Sequence, residues 1–157
     1  VSTIKKSIFF GIGNRDRGDD GVGPMLAETL AADESLRQRG VEVIPHSGEG
    51  ASLMDIWEGA GLVVIVDAMK SGTAVGTIRR FDAEADRLSG GTFRYSSHLF
   101  SLAEAVEMAR QLGRLPDRLI IYGIEGRDFA FGAPLTPEVA AALQGVTDSV
   151  YREFGLR

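Results

Sequence analysis

Three runs of the chain are too continuously apolar to lie anywhere but in an interior: SIFFGI (Ser7–Ile12), LVVIVDA (Leu62–Ala68) and LIIYGIE (Leu119–Glu125). Each is short, rich in β-branched or aromatic residues, and flanked by Gly or Asp. Such runs predict strands covered on both faces, as in a parallel sheet. VEVIPH (Val41–His46) alternates more and predicts a fourth strand. GTIRRFD (Gly76–Asp82) is polar enough for an edge.

Amphipathic segments separate these strands. Residues 21–38 carry Val22, Met25, Leu26 and Leu30 at helical spacing. Residues 51–60 carry Leu53, Ile56 and Trp57, and residues 97–112 carry Leu99, Leu102, Val106 and Ala109. The last helix, about 137–154, carries Val139, Leu143, Val146, Val150 and Phe154, with Thr136 as N-cap and Pro137 in its first turn. The order β-α-β-α-β-β-α-β-α predicts an α/β three-layer sandwich: a mostly parallel, twisted, five-stranded sheet with helices on both faces. No repeat, low-complexity tract or linker divides the sequence, so residues 1–157 read as a single domain.

Composition narrows the functional classes. The formal net charge is −5, and the basic spots near Arg79 and Arg110 are short and separated, which argues against nucleic acid as a partner. The absence of cysteine removes disulfides, thiolate catalysis and thiolate metal sites, and fits a reducing, cytoplasmic setting. The opening VSTIKKSIFFGIG loosely imitates a signal peptide, but its apolar run is short and meets Gly and Asn. It reads as the first strand. No segment approaches the ~20 apolar residues of a membrane span, so no membrane is expected.

In an open α/β sheet, ligands bind beyond the carboxyl ends of the strands. Asp19 and Asp20 follow the first strand, His46 and Glu49 the second; Asp67 ends the third and Glu125 the last. His98 stands at the start of the third long helix, with Ser96 or Ser97 as its cap. Asp67 reads either as a group satisfying a loop or helix end, or as a ligand or general base. One of Asp19 and Asp20 is expected to cap the following helix, leaving the other to face the cleft. Asn14 is expected to stiffen the loop through its side chain, and Asp16 to sit in solvent. His46 reads as a supporting or substrate contact.

The loop FFGIGNRDRGDDGVGP invites a phosphate reading, which fails. Its spacing is not G-x-G-x-x-G, no Lys follows as in a P-loop, and two carboxylates stand where a pyrophosphate would bind. No nucleotide is expected. Two Asp and one His at the tips of separate elements suit a divalent metal: nickel, zinc, manganese or iron.

Four segments in order then resemble the nickel–iron hydrogenase maturation endopeptidases over nearly the whole length. GIGNRDRGDDGVGP is similar to the family's opening G-x-G-N…D-[DE]-G-x-G pattern, VVIVDAMKSG to its central D-A segment, SSHLFSL to its S-[ST]-H segment, and IYGIEG with GAPLTPEVAAAL to its closing strand, loop and helix. The resemblance implies an endopeptidase that removes the C-terminal extension of a hydrogenase large-subunit precursor after nickel insertion. It implies Asp20, Asp67 and His98 as catalytic, metal-contacting groups. Nickel is expected to arrive with the substrate and, since no Ser or Cys nucleophile is indicated, water is the expected nucleophile. Two other readings compete: a metal-binding factor that inspects the large subunit without cutting it, and a different hydrolase, such as a self-processing or spore-type protease, on a similar scaffold. RDR, HSGEG and Glu125, where many members carry Gln, depart from the family pattern and are expected to shape partner choice. The loops RLSGGTFRYSS and EGRDFAFGAP are the candidate substrate walls, the second placing Phe129 and Phe131 either in the core or against a partner.

Overall fold

The computed structural model describes residues 4–88 and 101–157. In chain order the elements are β1 (Ser7–Ile12), a 3-10 turn (Gly18–Gly21), α1 (Val22–Ala31), α2 (Glu34–Gln38), β2 (Val41–His46), α3 (Gly50–Trp57), β3 (Leu62–Met69), β4 (Ile78–Asp82), α4 (Leu102–Leu112), β5 (Arg118–Glu125) and α5 (Pro137–Glu153). The sheet order is β2-β1-β3-β5-β4. β2, β1, β3 and β5 pair in parallel, and β4 closes the edge antiparallel to β5.

The apolar runs form the three central strands because both their faces are covered. Alternate residues serve opposite layers. Ile8, Phe10, Val63, Ile65, Leu119 and Ile121 pack with Leu53 and Trp57 of α3 and Val106 of α4. Phe9, Val64, Val66, Ile120 and Tyr122 pack with Leu26 and Leu30 of α1 and Val139, Val146 and Val150 of α5. Each fully buried side chain of this size contributes roughly 1.5–3 kcal/mol, so the two layers together hold the sheet between them.

Three boundaries differ from expectation. The helix expected over 21–38 breaks at Asp33, whose backbone is extended and whose side chain accepts from Ser35 N, so that α2 starts afresh. A short acid that bonds its own downstream amide competes with helix continuation. The strand expected from Gly76 starts at Ile78, because Gly76 takes a positive φ of 88° and turns the chain. α4 starts at Leu102, with Ser101 at its N-cap position and Ser101 N donating to Glu104 at 2.9 Å. The remainder of the expected 97–112 helix, including the Ser96 or Ser97 cap and His98, lies outside the described residues. No helix among the described residues is long and apolar enough to cross a membrane.

Candidate active site

The loops that follow β1, β3 and β5 meet at the carboxyl edge of the parallel strands. Glycine makes the meeting possible. A Cβ on Gly23 would stand 2.3 Å from Ile12 O and 2.8 Å from Val66 O, and one on Gly11 would stand 2.1 Å from Gly23 O. The first turn of α1 therefore lies directly on β1 and β3. That contact carries the preceding Asp20 toward the end of β3, where Asp67 sits in register with Gly123 of β5. Gly13, at φ 141°, lets the chain curl around Asp20: a Cβ there would be 1.9 Å from Asp20 O.

The buried acids among the described residues are Asp19, Asp20, Asp67 and Glu125, and they divide into two kinds. Asp19 and Glu125 are filled with donors. Asp19, fully buried, accepts from Arg127 N at 2.8 Å, Asp128 N at 3.1 Å, Thr136 N at 2.7 Å and the Thr136 hydroxyl. Glu125 accepts from Ser71 N and Oγ, Gly72 N and Thr73 Oγ1. Burial alone would raise its pKa, but these donors overcome burial and hold it below the usual carboxylate value.

Asp20 and Asp67 are the other kind. Asp20, 8% exposed, accepts from Asn14 N at 2.8 Å. Burial pushes its pKa up to about 6, against the Asn14 bond and the nearby Arg17 charge. Asp67, 7% exposed, is raised well above the ordinary value by burial first and by the Asp20 carboxylate second. The Ala68 amide lowers it without compensating. Two buried carboxylates, one of which raises the other, are a place where a cation is electrostatically favoured. The donor set thus fits a divalent metal, with oxygen ligands from the turn before α1 and from the end of β3.

The other expected residues fall as follows. His46 lies at the end of β2, but its Nδ1 accepts from Gly48 N, its Nε2 is 2.9 Å from Ser52 Oγ, and its ring packs edge-on to Phe10. Glu49 caps α3, accepting from Ala51 N and Ser52 N. Both organise the turn after β2. Asn14 does stiffen its loop, accepting from Asp16 N, and Asp16 is exposed. The acid expected to cap α1 does not do so: the N-cap position is Gly21, and Asp19 reaches across to the loop after β5 instead. Of the two phenylalanines, Phe129 is buried at 7% exposure and Phe131 stands out at 78%. His98 lies outside the described residues, and among those residues no group of three or more His, Asp or Glu is placed to hold a metal.

Sequence reading had no route to the roles of Ser71, Thr73 and Thr136. Thr136 is the N-cap residue of α5, as expected, yet its hydroxyl goes to Asp19 and not to the helix.

Comparison with known proteins accords with this architecture. Hydrogenase expression/formation protein HupD of Thiocapsa roseopersicina is 28% identical over 134 residues, which cover 84% of this chain and 60% of that protein. HoxM of Azotobacter vinelandii is 28% identical over 145 residues, covering 90% of this chain and 69% of that one. The chain thus spans well under the full length of these relatives. The fold matches the hydrogenase maturating endopeptidase HybD of E. coli with a TM-score of 0.72 at 21% identity, over 96% of this chain and 94% of that one. It also matches HybD of Thermococcus kodakarensis, with a TM-score of 0.68 at 21% identity over 94% and 97% of the two chains. The model of the hydrogenase maturation protease family HycI matches residues 24–153, and the chain belongs to that family.

Proposed function

We propose that this protein is an endopeptidase that removes the C-terminal extension of a nickel–iron hydrogenase large-subunit precursor once nickel is in place. Family membership supports the reaction class. The observation that carries the site is the split among the buried acids: Asp19 and Glu125 are saturated with donors, whereas Asp20 and Asp67 have few donors among the described residues, and the Asp20 carboxylate raises Asp67. Buried groups held at such electrostatic cost are functional candidates.

In this reading the nickel belongs to the substrate. Asp20, Asp67 and His98 grip it, and the grip places the scissile peptide bond at the same edge of the sheet. A precursor without nickel offers no cation to the two carboxylates and is not positioned for cleavage. Water adds to the peptide carbonyl carbon, the C–N bond breaks, and the leaving amine takes a proton, so that a new C-terminal carboxylate and a free extension result. The water is activated by the polarising cation or by a carboxylate acting as base.

The test is the processing of precursor by Asp67→Asn and His98→Ala, run beside binding of the same precursor. Lost cleavage with retained folding and binding supports the site. Full cleavage by both variants removes it, and wild-type protein that binds precursor without cutting it makes this chain an inspecting factor.

A further inference from the structure

Asp19 stands next to Asp20 but faces the other way, and its hydrogen bonds cross from one end of the chain to the other. Oδ2 accepts from Arg127 N at 2.8 Å and Asp128 N at 3.1 Å, while Oδ1 accepts from Thr136 N at 2.7 Å. The Thr136 hydroxyl lies within 3.2 Å of both oxygens. Around this hub the two loops are further stitched: Asp19 N donates to Asp128 O at 2.8 Å, Gly132 N to Asp16 O at 2.7 Å, and Arg17 Nε to Phe129 O at 3.4 Å. The contact is tight enough to require glycine on both sides. A Cβ on Gly18 would be 2.1 Å from Asp128 O, and one on Gly126 would be 2.9 Å from the Asp19 Cβ.

A carboxylate accepting this many bonds ties the loop after β1 to the loop after β5. We propose that Asp19 is a positioning residue: it locks the loop after β5 onto the loop after β1, and thereby sets where Asp20 stands relative to Asp67. The same loop carries the buried Phe129 and the exposed Phe131. The inference rests on the reading of Asp20 and Asp67 as the reacting site, but its structural half is separable from that reading.

Asp19→Asn is the direct test. An amide in place of the carboxylate sets its NH2 against either the Arg127 and Asp128 amides or the Thr136 amide, and breaks part of the hub in both cases. Thr136→Val removes the hydroxyl bonds alone, and Thr136→Ser restores them. Hydrogen exchange on the free proteins reads the structural half. Asp19→Asn is expected to loosen the amides of residues 126–136 and those of residues 14–20 together, while Val64 and Ile120 in the core strands stay protected. Loosening confined to 126–136 would overturn the proposal. Cleavage of nickel-loaded precursor reads the functional half: kcat is expected to fall by up to about 100-fold, as small misplacements of a reacting group do, with KM held within about threefold. Thr136→Val should fall in the same direction and Thr136→Ser should recover. An unchanged kcat in a variant that exchanges fast would overturn it as well. If wild-type protein does not cleave at all, the proposed function fails, and the exchange result alone decides the coupling of the loops.

Discussion

Asp20→Asn should stabilise the metal-free protein at neutral pH and leave it almost unchanged in acid. Burial holds the Asp20 carboxyl at about 6 where an ordinary one has 3.8. An acid with a raised folded value binds more protons folded than unfolded between those two values, so stability falls as pH rises through that window. Below it the carboxyl is neutral in both states and its cost vanishes; above it the cost is complete. The span from 3.8 to about 6 corresponds to about 3 kcal/mol. Asparagine carries no charge and keeps an oxygen for Asn14 N, so it should recover about 2–3 kcal/mol, or roughly 4–12 °C in melting temperature for a domain of this size. At about pH 4 the gain should shrink below about 1 kcal/mol. Urea unfolding with a chelator present, followed by circular dichroism at both pH values, measures this. A gain of equal size at both values, or a loss at neutral pH, would refute the reasoning.

Further consequences follow from neighbouring groups. Asp67→Asn should also stabilise at neutral pH, and the double variant should gain less than the sum, because part of Asp67's cost is repulsion by the Asp20 charge, which either substitution removes; melting curves of the three variants check this. Glu125→Gln should destabilise at neutral pH and matter little in acid, since its lowered pKa means stability is lost as pH falls through the folded value; melts across pH test the sign. Gly23→Ala should cost more than about 3 kcal/mol and yield little folded protein, because its new methyl meets backbone of β1 and β3 that cannot step aside; soluble yield and melting temperature report it. Phe131→Ser should leave the melting temperature unchanged, given the exposure of the ring, while weakening precursor binding in a titration.

The sheet was legible because burial on both faces leaves a continuous apolar record in Ser7–Ile12, Leu62–Ala68 and Leu119–Glu125. The gathering of acids at one edge followed from that topology alone. What each acid does was not legible. Asp19 and Asp20 are adjacent and identical, and they are told apart only by partners more than a hundred residues away, at Arg127, Asp128 and Thr136. Glu125 likewise takes its meaning from Ser71 and Thr73, on a loop that no periodicity announces. The break at Asp33 was missed because helical spacing of Val22, Leu26 and Leu30 cannot show that a downstream acid has begun a second helix. The sequence left Phe129 and Phe131 open between core and partner contact; burial separates them, with Phe129 inside and Phe131 exposed.

The most direct test is the intact mass of a nickel-loaded large-subunit precursor after incubation with this protein, beside the nickel-free precursor and the Asp67→Asn variant. A C-terminal mass loss is expected with wild-type protein and nickel together, and in neither other arm. Equal loss from the nickel-free precursor, or from the Asp67→Asn reaction, would contradict a nickel-guided site at Asp20 and Asp67.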